Sequence, residues 1–221
     1  GAIVIFDASM GVETQTITVW KQADKYSLPR IAYINKIDKA GASVENTLLA
    51  IYKKLGLKPI LINYPNGEEN QFTGLIDLIT FKQVKFNDEL GVDIEQVDIN
   101  KNDKNYSKYS KLRDTLIEEL VTHDEALMNK YLEGEEIQIE EIISTLRKLI
   151  LHNKIVLVLC GSSLRNKGVQ QILDSVVSFL PSPLDLKPTQ AKLLSNNTFT
   201  AKVRERQLIY FLVMPRCTSA D

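Results

Sequence analysis

A doubly wound α/β sheet is the fold predicted here, and three observations predict it. Short apolar, β-branched runs recur at 2–6, 30–34, 59–62 and 155–159. Amphipathic stretches of helical period separate the first three runs and follow the fourth. The runs at 2–6, 30–34 and 155–159 each stop at a polar or small-residue loop, as parallel strands do at the carboxyl edge of their sheet.

Taken in order, AIVIF at 2–6 has no polar alternation and reads as a strand buried on both faces, ending at Asp7. Residues 13–26 follow as a helix, with Ile17, Trp20 and Ala23 on one face and Pro29 as the stop. The strand at 30–34 runs into the polar loop Asn35-Lys36-Ile37-Asp38. Ser43 is the expected N-cap of a helix over 44–55, Gly56 closes it, and 59–62 is the third strand. From about 63 to 153 the pattern changes. FTGLIDLIT and QVKF read as short strands with a polar, turn-bearing segment after them, and helices follow over 106–123, 124–131 and 139–152. That middle third reads as an insertion. The α/β theme returns with a strand at 155–159, the loop Cys160-Gly161-Ser162-Ser163-Leu164 and a helix over 169–180 ended by Pro181 and Pro183. A polar linker then leads to 199–203 and 208–214, read as two antiparallel strands of a further β-module that stops before it could close.

Composition narrows the functions. Among 221 residues, 27 Lys and Arg nearly cancel 28 Asp and Glu, so no basic stripe announces a DNA or RNA binder. The two cysteines, Cys160 and Cys217, sit in no CxxC or Cys/His cluster, which supports neither a disulfide scaffold nor a zinc site, and a reducing compartment is the default. No apolar run approaches the roughly 18 residues of a membrane span. The chain opens directly on a strand, with no initiator Met and no leader pattern, and this reads as a cut.

The sharpest chemical signal is NKxD at Asn35-Lys36-Ile37-Asp38, after a buried strand and before a helix. Guanine presents N1–H and an exocyclic amine as adjacent donors, and one ionised carboxylate, acceptor-only with two oxygens, pairs with both; Asp38 suits that task. Adenine lacks this donor pair and leaves the carboxylate poorly satisfied. The stem of Lys36 can lie along the base, and the Asn35 amide can tie the loop to its neighbours. A bare NKxD string is more often a solvated turn, and the placement is what gives it weight. Gly161-Ser162-Ser163-Leu164 likewise follows a buried strand and opens a helix, so both loops belong at one sheet edge, where backbone N–H groups near Ser163 can donate to guanine O6. Alone, Ser-Ser after a strand is more often an N-cap.

With these two loops in place, the chain resembles translational GTPases of the elongation factor G family. The resemblance is carried by GAIVIFDASMGVETQTITVWKQADKYSLPRIAYINKIDKAGAS, FTGLIDLI and VLCGSSLRNKGVQQILDSVVSFLPSP. Within that family DAS, TVWKQADKY and NKIDKAGAS look closest to the mitochondrial ribosome-releasing branch, which works with ribosome recycling factor to split ribosomal subunits after termination. The resemblance implies a P-loop GTPase-type G domain lacking its N-terminal part. Its segments would be 1–63 and 154–183, with an inserted subdomain at 64–153, a linker at 184–198 and the start of a β-barrel domain at 199–221. It implies GTP or GDP as ligand, held here by Asn35, Lys36, Asp38, Ser162, Ser163 and Leu164. The ribosome and ribosome recycling factor are the implied partners, with no membrane or DNA role, and the mitochondrial matrix is the implied location.

The pattern departs from the family in two places. Ser163 stands where the family usually has Ala, so an extra hydroxyl must be accommodated. There is also no GxxxxGK[ST], hence no cradle for the β- and γ-phosphates and no Ser or Thr for magnesium. Asp38-Lys39-Ala40-Gly41 matches DxxG, but Asp38 is committed to the base and the match falls too late in chain order, so it reads as a decoy. The family's phosphate loop, first switch, DxxG and following histidine would lie upstream of Gly1. No catalytic residue is therefore expected here, and magnesium is expected only in a full-length parent. Family topology also sets a strand beside 2–6, so without it that strand is expected to keep an unpaired, aggregation-prone edge. His123 and His152 read as surface histidines, Trp20, Tyr26 and Tyr33 as packing aromatics rather than a base platform, and Cys160 as an inert buried thiol. Two other readings stay open: a translocating elongation factor, and a non-catalytic module that contacts the ribosome or a protein partner.

Overall fold

In a computed structural model of the chain, the structure describes residues 1–67, 69–88, 90–182 and 185, and the backbone of strands at 189–192, 198–201 and 210–212. The first strand, β1 (Ala2–Asp7), leads to helix α1 (Thr14–Lys25), strand β2 (Arg30–Asn35), helix α2 (Val44–Leu55) and strand β3 (Lys58–Leu61). Ser43 caps α2 by accepting the Asn46 N–H at 3.2 Å, and Gly56 ends it in the left-handed region at φ 75°, as the sequence predicts. Four further strands follow: β4 (Asn63–Asn66), β5 (Gly74–Asp77), β6 (Lys82–Phe86) and β7 (Ile94–Asp98). Helices α3 (Tyr106–Val121), α4 (Glu125–Glu133) and α5 (Ile139–Leu151) complete the middle third, and the α/β pattern resumes with strand β8 (Ile155–Cys160) and helix α6 (Val169–Phe179).

The main sheet has β1, β2, β8 and β3 in that order, all parallel, so β8 inserts between the second and third strands of the chain. Every residue of β8 is buried, which is why its sequence, IVLVLC, shows no alternation. Parallel pairing brings the carboxyl ends together at one edge: Asp7 is in register with Asn35, and Ile34 with Cys160. The middle third builds an antiparallel meander, β4-β5-β6-β7. It is joined to the main sheet by a buried side chain, since Asn63 at the start of β4 donates to the Cys160 carbonyl at 3.2 Å and accepts the Cys160 N–H at 2.7 Å.

Several expectations need correction. FTGLIDLIT is strand only over β5; Asp77 Oδ1 accepts the Ile79 and Thr80 N–H groups and turns the chain there. The polar segment after QVKF contains a strand, β7, and NYPN forms β4. Among the described residues, 199–201 and 210–212 do not pair with each other. Instead β9 (Thr189–Lys192), inside the expected linker, pairs antiparallel with β10 (Thr198–Ala201). The segment β11 (Tyr210–Leu212) pairs parallel with Ala2–Val4, so the edge expected to stay open is occupied over those residues. An open parallel edge offers a row of unpaired N–H and C=O groups, and a short apolar segment of the same chain satisfies them. The remainder of the expected β-barrel start, within 199–221, lies outside the described residues.

Candidate functional site

The site grows from the carboxyl ends of β1, β2 and β8. Asn35, the last residue of β2, is held from both sides: its carbonyl accepts the Ala8 N–H at 2.9 Å, and its Oδ1 accepts the Ser163 N–H at 2.9 Å. Between the loops, the Gly161 N–H donates to the Ile34 carbonyl at 2.9 Å and the Ile37 N–H to the Gly161 carbonyl at 3.4 Å. Glycine is required at 161 because a Cβ there would lie 2.4 Å from both the Lys167 carbonyl oxygen and the Tyr33 hydroxyl. The serine turn is closed on itself, with Ser162 and Lys167 exchanging N–H and C=O bonds at 2.8 and 3.0 Å. The NKxD and serine loops, which the sequence places at one edge, are thus brought together.

Each site residue has a defined place. Lys36 adopts the left-handed region at φ 64°, and its Nζ donates to Asp7 Oδ2 at 2.7 Å. Asp7 also accepts the Ser9 N–H and hydroxyl. Partial burial pushes the Asp7 carboxyl up, but the bonds from Lys36 and Ser9 and the lysine charge pull it down to about 2. Asp38 is mostly buried, and its Oδ2 accepts from Arg165 Nε at 3.0 Å. Ser162 is buried, and among the described residues its hydroxyl has no partner. Ser163 is exposed, so the hydroxyl that replaces the family's usual Ala is accommodated in solvent. Its N–H, expected to be available to guanine O6, is taken by Asn35. The neighbouring Leu164 N–H has no partner among the described residues, and its side chain is exposed.

Asp7 and Arg165 were not singled out by sequence reasoning. Asp7 was findable, because parallel register sets it beside Asn35; nothing in the sequence marked Arg165.

The remaining sequence candidates take the plain reading. Trp20 and Tyr33 are buried, with the Arg30 guanidinium 4.5 Å from the Trp20 ring, and Tyr26 is exposed. Burial pushes the Cys160 thiol up, and likewise the Tyr33 hydroxyl, whose rise Cys160 and Asp38 reinforce. His123 and His152 are exposed, and Glu141 closes a capping box at the start of α5. In the DxxG match, Gly41 N–H donates to Glu69 Oε1 at 3.0 Å. A polar cavity of about 490 Å³ lies away from the base loops, between Tyr64–Asn66 and Asp103–Tyr109. Its Lys108 ammonium is already engaged by Glu45 at 3.0 Å.

Among the described residues, no helix is long and apolar enough to cross a membrane, and no three His, Cys, Asp or Glu side chains are placed to hold a metal ion. The base half of a guanine nucleotide fits the groups present: a carboxylate at the sheet edge, an unclaimed N–H and an orphaned buried hydroxyl.

Comparison with known proteins agrees with the fold. Residues 1–182 match the family described as elongation factor Tu GTP binding domain. The chain is similar to elongation factor G 2 of Syntrophomonas wolfei subsp. wolfei, 47% identical over 191 residues, covering 86% of this chain and 27% of that protein. The chain therefore spans about a quarter of that relative's length. A solved crystal structure of a Thermus thermophilus protein superposes with a TM-score of 0.72 at 26% identity, covering 87% of this chain and 28% of that one. The parallel sheet with its two adjoining loops and the match over 1–182 lead to one conclusion: this chain belongs to the elongation factor Tu GTP binding domain family.

Proposed function

We propose that this chain supplies the guanine-recognition half of a GTP-hydrolysing translation factor acting on the ribosome. Asp38 accepts the two adjacent donors of guanine, the Leu164 N–H donates to O6, the Lys36 stem covers the base, and Asn35 holds the two loops in register. The observation that carries the reading is the convergence of the Asp38 and Ser163 loops through Asn35 at the carboxyl edge of a parallel sheet. GTP supplies the hydrolysable phosphoanhydride, and no hydrolytic step is assigned to residues of this chain.

The test is nucleoside binding followed by calorimetry or NMR. Base contacts alone are expected to give about millimolar affinity for guanosine, with adenosine weaker by about tenfold or more. Asp38→Asn replaces an acceptor-only group with one that also donates, so it should weaken guanosine and favour xanthosine, whose C2 carbonyl accepts. Unchanged guanosine preference in Asp38→Asn removes the assignment.

For the role of the whole protein, the proposal is ribosome splitting with ribosome recycling factor in the mitochondrial matrix. The stretches DAS, TVWKQADKY and NKIDKAGAS support it. A translocating elongation factor is the second reading, favoured by the name of the bacterial relative, elongation factor G 2. Subunit-splitting and translocation assays on the protein in its full length separate the two.

A further inference from the structure

The meander reaches the base-recognition carboxylate through Arg165. Carboxylate rotation is broad and intrinsically soft, so a group that must present both oxygens in the plane of a base edge needs an external hold. Arg165 Nε holds Asp38 Oδ2 at 3.0 Å and leaves lone pairs on both oxygens for a ligand. The connection between β6 and β7 lies close against the main chain of Arg165. A Cβ at Gly91 would lie 2.8 Å from the Arg165 carbonyl oxygen and 2.7 Å from that of Asn166, and Gly91 has φ +63°. Asn166 Nδ2 donates to the Leu90 carbonyl at 3.1 Å and Gln170 Nε2 to the Gly91 carbonyl at 3.0 Å. Lys167 Nζ lies 5.8 Å from the ring centres of both Phe72 and Phe86.

We propose that Leu90 and Gly91 of the β6–β7 connection form a positioning element for Asp38, acting through Arg165, and that Arg165 sets how sharply the exocyclic amine of guanine is recognised. The proposal rests on the guanine reading above. A part-exposed ion pair adds little to stability, so removing it should be felt in base discrimination rather than in melting. The meander also gains a direct route to the site: displacing Gly91 shifts the Arg165 carbonyl, and with it the guanidinium that orients the carboxylate.

The experiment uses the 221-residue chain as wild type, Arg165→Gln, Arg165→Lys and Gly91→Ala. Each is titrated with guanosine, inosine and adenosine, followed by NMR at the Ser163 and Leu164 amides, with melting measured in parallel. Inosine keeps N1–H and O6 but lacks the amine. The wild type should prefer guanosine over inosine by about tenfold, the value of one bond to a charged acceptor. Arg165→Gln and Gly91→Ala should reduce that preference to about threefold or less, with inosine little changed, and Arg165→Lys should restore part of it. An intact wild-type preference that survives unchanged in Arg165→Gln overturns the inference and leaves the base assignment standing. A Gly91→Ala chain that loses both nucleosides in parallel overturns the part given to the connection. A wild type that binds guanosine no better than adenosine overturns the base assignment and this inference together.

Discussion

Asn35 Oδ1 accepts the Ser163 N–H at 2.9 Å, which joins two loops 128 residues apart in sequence. The Ser163 end is exposed, so water can replace the lost acceptor in Asn35→Ala, and the stability cost should be only about 0.5–1.5 kcal/mol. Guanosine binding should fall by roughly tenfold, because Asp38 and the Leu164 N–H no longer share a fixed spacing. Melting and nucleoside titration on the same sample check both halves. An equal loss for adenosine would show that the bond serves folding alone.

The pair of Lys36 with Asp7 gives a pH dependence of known sign. The Asp7 carboxyl is lowered to about 2 in the folded chain, against about 3.9 for an unfolded aspartate. A depressed folded value means that the pair's contribution is whole above roughly pH 4 and is lost as the pH falls through about 2. Lys36 is half exposed, so that contribution should stay under about 1 kcal/mol. Denaturant midpoints of wild type and Asp7→Asn should therefore differ most near about pH 6, draw together as the pH falls below about 4 and converge only below about pH 2.

Asn63 occupies a far less forgiving place. Its amide satisfies both the N–H and the C=O of Cys160, and all of these groups are buried. Asn63→Ala strands both backbone groups away from water and should cost about 2–4 kcal/mol in chemical denaturation, well above the cost of Asn35→Ala.

Cys160 should resist thiol reagents in the folded chain. Burial holds its thiol protonated, and the thiolate is the nucleophile. Alkylation mapped by mass spectrometry should label Cys160 only once denaturant unfolds the sheet; rapid labelling under native conditions would contradict this.

The pairing of Tyr210–Leu212 with Ala2–Val4 has its own test. A chain ended at residue 209 bares the edge of β1 and should self-associate, seen as a concentration-dependent mass in sedimentation, whereas the 221-residue chain should do so less.

The difference between legible and illegible elements follows from where each found its partners. Helix α2 was readable to the residue because its signals are local: Ser43 caps it and Gly56 stops it. Strand β8 was readable because burial on both faces demands an unbroken apolar run. Strands β4 and β7 were not, since NYPN and IEQVD carry no such pattern. They are extended because the meander pairs them, and β4, at its outer edge, tolerates Pro65 where an inner strand would not. The adjacency of the Asp38 and Ser163 loops was legible through their position after buried strands.

By itself the sequence determined the α/β class, the two loops at one carboxyl edge and the kind of group proposed for guanine, because burial pattern and donor–acceptor chemistry are written in residue types. Only the tertiary structure decided that Asn35 takes the Ser163 N–H, that Arg165 pairs with Asp38, that Asp7 holds Lys36 and that a distant segment lies on the β1 edge. These depend on distances between residues far apart in the chain, and local pattern does not encode such distances.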